Sequence, residues 1–462
     1  MRLIYRIKQL MLMGGDFLAF ILAFWLSLAI RNWQIPNWPQ IERHLVLFFF
    51  LFLIWLIINI INGLYDLGNL KNKKSQRYFL EASLISFLTS IVFFYLLSST
   101  MIAPKTILLL NIILGYGLSA LWRITYNKYI NSGRLSTNII IIGFTPEVEE
   151  LINILQNKPE ISYQICALID PNKKIKPEKF PFFDVYHGLN TIRPAISNHH
   201  AQMVIIAPHI HKDSQALQEL YNLLFWNVQV HDLFSFYEVV TGRIPPTTFS
   251  ESWFLEHLKN TQQPIYEKMR ILFDYLAGLV VGAVFVLFLP ALATLIKLTS
   301  PGPLFIKQKR VGQFGEIFTM YKLRSMYALN KDGSAEIEGA QFAIKNDKRV
   351  TFIGKFLRQT RLDELPQCWN LLKREITLIG PRPERPQIVE QLKAKMPYYS
   401  LRHIVKPGLT GWAVIHQNYT DNMETSLQKL QYDLFYIKNR SWLLDLSILL
   451  KTINVVTRRL GQ

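Results

Sequence analysis

The chain has 462 residues, half of them hydrophobic and only 18% charged, which is too apolar for a soluble protein of this length and points to membrane segments. Its formal net charge of +18 fits anionic partners such as nucleic acid, an anionic lipid surface or phosphorylated substrates, although basic residues also collect in the cytoplasmic loops of any membrane protein. The two cysteines, Cys166 and Cys368, lie in no CxxC or Cys/His cluster, so the pattern offers neither a disulfide framework nor a zinc site.

Four apolar stretches, roughly 10–30, 45–65, 79–99 and 106–122, each approach the length of about 20 residues that crosses a bilayer. The start, "MRLIYRIKQL", precedes an apolar run with no small-residue cleavage site, and is read as leading into an uncleaved span. Arg2, Arg6 and Lys8 precede the first span. Lys71, Lys73, Lys74 and Arg77 lie between the second and third, and Arg123, Lys128 and Arg134 follow at the end of the fourth. The alternate loops carry fewer cations, so the N-terminus and everything after the fourth span are expected in the cytoplasm. Residues 1–130 thus form a predicted helical membrane bundle. Asp16 within the first span is costly there, and is expected to face other helices or the interface.

From 136 to 250 the pattern changes. The runs "NIIII", "YQICALID", "MVIIAPHI" and "NVQVHDL" read as buried strands between helical stretches, which predicts a parallel α/β sheet of Rossmann-like type. Gly143 stands alone where a dinucleotide fingerprint requires three glycines, and Asp170 at the end of the second strand is only a formal ribose ligand. A structural or regulatory module is the expectation. The His209-x-His211 pair lacks a third ligand and is read as loop.

Residues 275–296 form a fifth uncharged apolar run with basic flanks on both sides and Pro290 inside it. Pro removes a helical hydrogen bond and bends the helix. A straight fifth span and a broken helix that returns to the same face both fit. Crossing would carry the basic remainder away from cytoplasmic nucleotides.

Between 301 and 421, Lys307, Lys309, Arg310, Lys322, Arg324, Arg349, Lys355, Arg358, Arg361, Arg382 and Arg385 alternate with Gly, Pro and aromatic residues. "LIGPRPERP" holds two arginines between prolines, which fix φ. Arginine forks suit phosphate. Within "RLDELPQCWN" the adjacent Asp363 and Glu364 stand among these cations. Asp363 as a helix cap beside phosphate-attracting N–H groups is one reading; a capping arrangement from Thr360 to Asp363 is the other. Adjacent helical residues point about 100° apart, so the two carboxylates have different jobs: one to attack phosphorus, the other to hold a divalent cation such as Mg²⁺.

The stretches "KRVGQFGEIFTMYKLRSM", "RLDELPQCWNLLKREITLIGPRPERP", "HIVKPGLTGWAVIHQ" and "KLQYDLFYIKNRSWLLDLSILLKT" occur in order over 266–460. Together they resemble the catalytic domain of the polyprenyl-phosphate hexose-1-phosphate transferases, which begin bacterial exopolysaccharide and related glycan assembly. The preceding spans and Rossmann-like module resemble the larger members of that family.

The resemblance implies a largely helical, membrane-embedded transferase domain over 265–462, with a re-entrant helix at about 270–298 broken at Pro290. It also implies Asp363 as nucleophile and Glu364 as its Mg²⁺-binding partner. Arg358, Lys322, Arg324 and Arg382 are the expected phosphate and substrate contacts. The implied substrates are a UDP-sugar and undecaprenyl phosphate; the implied setting is the bacterial inner membrane, with the catalytic domain facing the cytoplasm, as a homodimer and without nucleic acid.

This chain departs from the family pattern at Leu289, where a Ser often precedes the Pro; at Arg374 and Glu375, where K-G-D-M-S is more usual; and after "GWA", where a Gln is common. A membrane-attached nucleotide-sugar dehydratase or epimerase would need a fuller glycine fingerprint and a Tyr-x-x-x-Lys pair, and a non-catalytic scaffold would not need the intact dyad. The segments 424–437 and 442–456 are expected as helices on the membrane surface or against the domain core, and 328–343 as a mobile loop near the active site.

Overall fold

Long runs of Leu, Ile and Phe, with Pro only in a first turn, open the chain as four helices: α1 (Leu3–Asn32), α2 (Trp38–Ile61), α3 (Lys74–Leu97) and α4 (Lys105–Tyr129). The computed structural model describes all residues except 1–2, 72–73, 98–104, 131–135, 159–160, 174–179, 213, 259–263, 331–334, 336–346, 348, 418–422 and 458–462. Most of the 328–343 stretch therefore lies outside the described residues. The chain divides into two units, Met1–Val240 and Thr241–Gln462.

In the bundle, Asp16 is fully buried and turned toward α4, where it pairs with Arg123 and accepts from the Ser119 hydroxyl at 2.7 Å. Arg123 also donates to the Leu64 carbonyl at 2.9 Å. A buried charge is tolerable only when paired, so the acid faces other helices, as expected. Tyr116, Asn59 and Ser86 extend the polar contacts across α4, α2 and α3, the kind of interhelical hydrogen bonding that joins membrane helices.

After the bundle, five short strands alternate with helices: β1 (Thr137–Ile142), α5 (Pro146–Asn157), β2 (Tyr163–Ile169), β3 (Asp184–Tyr186), α6 (Ile192–Asn198), β4 (Met203–Ile206), α7 (Ser214–Asn222), β5 (Gln229–Asp232) and α8 (Leu233–Thr241). All pairings are parallel, in the order β3-β2-β1-β4-β5. Ile139 to Ile142 are wholly buried, as a strand covered on both faces requires. The order reverses between β1 and β4, the position where a doubly wound sheet opens a ligand crevice. Gly143 sits there at φ +90°, and a Cβ on it would meet His209 and Ile210 within 2.9 Å. The packing of Ala207, His209 and Ile210 therefore leaves no room for a side chain at residue 143.

The second unit begins with α9 (Glu251–Leu258) and α10 (Pro264–Thr299), followed by the antiparallel hairpin β6 (Phe305–Val311) and β7 (Ile317–Leu323). Next come α11 (Phe352–Thr360), α12 (Cys368–Leu372), β8 (Thr377–Ile379), α13 (Pro386–Lys395), β9 (Gly408–Thr410), α14 (Trp412–His416), α15 (Met423–Lys438) and α16 (Trp442–Thr457). β8 and β9 pair in parallel. With the four helices of the bundle, α10 makes five among the described residues that are long and apolar enough to cross a membrane.

α10 runs through Pro290 as one helix and buries Arg270, Gly278, Phe285, Leu292 and Ile296 along one face, leaving Leu279, Val280, Val286 and Leu287 exposed. Gly278 and Gly282 admit α12: Cβ atoms there would touch Leu372 at 3.0 Å and Cys368 at 3.9 Å. α15 packs Leu430, Leu434, Tyr436 and Ile437 into the core, whereas α16 leaves Leu443 and Leu446 exposed. α16 also reaches the core, through the fully buried Ile448 with Leu444 and Leu449 beside it.

Candidate active site

The stretch around the dyad is punctuated by backbone geometry. α11 starts at Thr351, whose hydroxyl accepts from the Gly354 N–H at 2.8 Å. It lies so close to the end of β7 that a Cβ at Gly354 would fall 1.8 Å from the Ser325 carbonyl oxygen. The helix stops because Arg361 adopts φ +58°, in the left-handed region.

Leu362–Gln367 then forms a 3₁₀ turn that tolerates Pro366, and α12 follows. Residues three apart eclipse in a 3₁₀ turn, so Leu362 and Leu365 share one side, packed with Leu323, Leu357 and Phe285. Asp363 and Glu364 come off the remaining surface. Neither capping arrangement anticipated for them is formed: Asp363 lies inside the 3₁₀ turn, and the Thr360 hydroxyl donates back to the Phe356 carbonyl.

Both carboxylates are nearly enclosed, with 7% of Asp363 and 9% of Glu364 exposed. Three cations converge on one oxygen of Glu364. Arg382 Nη2 lies 2.8 Å from Oε1, Lys322 Nζ 3.3 Å and Arg361 Nη1 3.6 Å. Burial by itself would raise the Glu364 pKa, but Arg382, then Lys322 and Arg361, outweigh it and hold the group well below the usual carboxylate range. Burial and the neighbouring Glu364 charge push Asp363 up to about 6, against the pull of Lys322, Arg358 and Arg361. Adjacent acids driven apart in this way can divide two roles between them. Burial lowers the Lys322 pKa, with Glu364 opposing, whereas Glu364 raises that of Arg382.

Lys322 is delivered by β7. The fully buried Asn370 of α12 completes that strand's other edge, accepting from the Tyr321 N–H at 3.3 Å and donating to the Thr319 carbonyl at 2.7 Å. Glu375 takes the same amide at 2.6 Å and so fixes its orientation. Arg382 is delivered by the turn after β8. Gly380 donates to the Thr410 carbonyl and Gly408 to that of Pro381, at 2.8 and 2.9 Å. A Cβ at Gly380 would lie 2.5 Å from the Lys406 carbonyl oxygen. Arg402 donates to the Arg382 carbonyl at 2.9 Å and pairs with Asp433 at 2.8 Å. Arg310 donates to the Pro383 carbonyl at 3.1 Å, and Glu384 pairs with Lys429. Burial opposes ionisation of Glu384, but Lys429, Arg402 and Arg310 bring its pKa down to about 2.

Of the four cations singled out in the sequence, Lys322 and Arg382 contact the dyad directly. Arg358 donates to the Ser325 hydroxyl at 2.9 Å and contributes to the positive field at Asp363. Arg324 is elsewhere: 1% exposed, it donates to the Pro301 and Ser300 carbonyls at 2.7 and 2.6 Å and closes the end of α10. Arg361 is the contact that ranking the cations passed over, although its place just before the dyad signals it. Arg402, Glu384 and Asn370 carry no local signal, because their partners lie far along the chain or are main-chain groups. Pro290 lies within α10, and the Thr294 hydroxyl donates to its carbonyl at 2.9 Å.

Among the described residues no group of three or more His, Cys, Asp or Glu side chains is arranged to hold a metal. Mg²⁺ needs less, usually one or two carboxylates with substrate phosphates completing its shell. Asp363 and Glu364 supply that donor set, and the three cation contacts of Glu364 all fall on Oε1.

A family model described as bacterial sugar transferase matches residues 265–459. The UDP-N-acetylgalactosamine-undecaprenyl-phosphate N-acetylgalactosaminephosphotransferase of Aeromonas hydrophila is 38% identical over 241 residues, 51% of this chain and 54% of that protein. The UDP-glucose:undecaprenyl-phosphate glucose-1-phosphate transferase of Escherichia coli K12 is 40% identical over 164 residues, 35% of this chain and 34% of that protein. The exopolysaccharide production protein PSS of Rhizobium leguminosarum bv. phaseoli is 36% identical over 190 residues, 39% of this chain and 90% of that protein. The chain thus spans about half of the Aeromonas relative, a third of the Escherichia one and nearly all of the Rhizobium one.

Proposed function

The chain belongs to the bacterial sugar transferase family, and we propose that it transfers a sugar 1-phosphate from a UDP-sugar to undecaprenyl phosphate, beginning the assembly of a surface glycan. The observation that carries this reading is the pairing of a buried Asp363 with a Glu364 held ionised by Arg382, Lys322 and Arg361. In the first step an Asp363 carboxylate oxygen attacks the phosphorus bearing the sugar. The bond from that phosphorus to the UMP oxygen breaks, UMP leaves, and an aspartyl-phosphosugar remains. In the second step a phosphate oxygen of the lipid attacks the same phosphorus. The bond to Asp363 breaks, the carboxylate is restored, and undecaprenyl-diphospho-sugar is released. Such a covalent intermediate splits one exchange into two and gives ping-pong kinetics.

Glu364 is the residue to hold Mg²⁺, which when bound would neutralise the diphosphate and ease approach of an anionic nucleophile. Arg361, Lys322 and Arg382 keep Glu364 ionised and favour the diphosphate at the same place. Arg358 lowers the proton affinity of Asp363.

The expected break at Pro290 is not present, since α10 continues through it as one helix. The same reading has that helix bend at Pro290 and return to the face it entered, with the catalytic unit on the cytoplasmic side of the bacterial inner membrane, where one substrate is soluble and the other is confined to lipid. Two anchors support it. Near the start of α10, Arg270 donates to the Ile379 carbonyl; at its end, Arg324 holds the Ser300 and Pro301 carbonyls. A straight helix rises about 1.5 Å per residue, so the uncharged run of 275–296 is long enough to cross. Crossing would put one of these anchors on the far side of the bilayer, yet Ile379 lies three residues before Arg382 and Arg324 two residues after Lys322, and both of those cations meet Glu364.

The test is UMP release by the detergent-solubilised full chain with Mg²⁺ and undecaprenyl phosphate, offered UDP-N-acetylgalactosamine, UDP-glucose and UDP-galactose. Lipid-dependent release with one sugar, lost in Asp363→Asn, is the expected result. Release that survives in Asp363→Asn removes the covalent nucleophile, and no release from folded protein removes these three sugars as donors and favours a non-catalytic scaffold or a donor outside the three.

A further inference from the structure

The first turns of α10 are polar where they meet β8. Arg270 is buried and donates to the Ile379 carbonyl. Four residues on, and therefore on the same face of the helix, Asp274 takes two bonds. Its Oδ1 accepts from the Leu378 N–H at 2.8 Å and its Oδ2 from the Thr377 hydroxyl at 2.7 Å. The two charges grip three successive residues, which are the whole of β8.

Gly380, Pro381 and Arg382 follow at once, and Arg382 ends 2.8 Å from Glu364. Little slack lies between grip and dyad. Pro381 fixes its φ, Gly380 is bonded to Thr410, and the Pro381 carbonyl accepts from Gly408. A charged pair at the mouth of an otherwise apolar helix is costly unless it finds partners, and here β8 supplies one to Arg270 and two to Asp274.

We propose that Asp274 and Arg270 are positioning residues, which transmit the seat of the membrane helix through β8 to the Arg382–Glu364 contact and so set the geometry of the dyad. The proposal rests on the reading of Asp363 and Glu364 as the catalytic pair. Neither positioning residue touches substrate; both act through Arg382.

The experiment measures UMP release by the full chain in detergent with undecaprenyl phosphate, and includes Asp363→Asn to test the underlying reading separately. Asp274→Ala is expected to lower kcat about tenfold, as loss of a supporting shell does, with KM for the UDP-sugar held within about twofold. Asp274→Asn, which keeps an oxygen for the Leu378 N–H, restores most of the rate. Thr377→Val removes one bond while leaving α10 untouched, and gives a smaller loss of the same kind. In an Arg382→Lys background, Asp274→Ala costs clearly less than in the wild type, because residues acting through one contact are not additive. Equal losses in both backgrounds, or a fall in thermal midpoint with kcat unchanged, overturn the proposal. If Asp363→Asn retains release, the reading of the dyad fails and the proposal with it.

Discussion

Glu384 lies two residues beyond Arg382 and answers for the charge behind the arginine turn. Its carboxylate meets Lys429 and Arg310, with Arg402 contributing to its field. Burial disfavours its charge, yet these cations bring its pKa from 4.5 to about 2. At about 1.36 kcal/mol per pH unit, that difference is worth about 3 kcal/mol of folding stability at neutral pH. Because 17% of the side chain stays exposed, screening by water makes this an upper value. The folded pKa is depressed, so the contribution is complete above the unfolded value near 4.5 and is lost as pH falls toward 2.

Glu384→Gln removes it and leaves Lys429 and Arg310 without their carboxylate. The variant's thermal midpoint, followed by tryptophan fluorescence in detergent, should lie clearly below the wild type at pH 7. The gap should narrow below pH 4.5, as the wild type protonates. A gap absent at neutral pH, or one that stays constant down to pH 3, would show that the network does not stabilise the charged carboxylate.

Arg374 occupies φ +61°, which costs a non-glycine residue about 1–2 kcal/mol. Arg374→Gly relieves this against about 0.4–1 kcal/mol of added chain entropy, so a gain of about 0.5–1 kcal/mol should appear as a midpoint raised by about 2–3 °C. Arg324→Met leaves two carbonyls at the end of α10 without their donor and should cost about 2–3 kcal/mol. KM for the UDP-sugar should not move; a raised KM would return Arg324 to the substrate. Leu298 is 79% exposed at the end of α10. In a Cys166→Ser background, Leu298→Cys should react with a membrane-impermeant maleimide only in inverted vesicles, and reaction in right-side-out cells would mean that α10 crosses.

What could be read from the sequence followed period and run length. Apolar runs marked the five long helices found among the described residues, and β-branched runs marked β1, β2, β4 and β5, because each signal is local. β3, three residues long with an exposed start, has no such run, and it forms only because β2 offers an edge. The clustering of cations around Asp363 and Glu364 was legible, but the backbone that carries the two acids was not. The left-handed turn at Arg361 is carried by an arginine where a glycine would have announced it, so the 3₁₀ segment looked like a helix start. Ranking the cations failed for Arg324 because charge alone does not distinguish a phosphate ligand from a helix cap. That distinction depends on where Ser300 and Pro301 end. Arg402 and Asp433 are 31 positions apart in numbering and meet only after α15 has docked.

The contact of α10 with α12 through Gly278 and Gly282 also limits how the chain can change in length. A helix seated on a glycine ledge has a fixed rotational phase, since any larger residue there meets Leu372 or approaches Cys368. One inserted residue turns everything beyond it by about 100°, which would swing Phe285, Leu292 and Ile296 off the core and present a lipid-facing side to Leu323 and Leu357. Insertions of seven residues nearly restore the phase but lengthen the rod by about 10 Å, and Arg324 could then no longer reach Ser300. The stretch from Gly282 to Ser300 is therefore held in both angle and length, so its residues can be exchanged for one another far more readily than they can be added or removed.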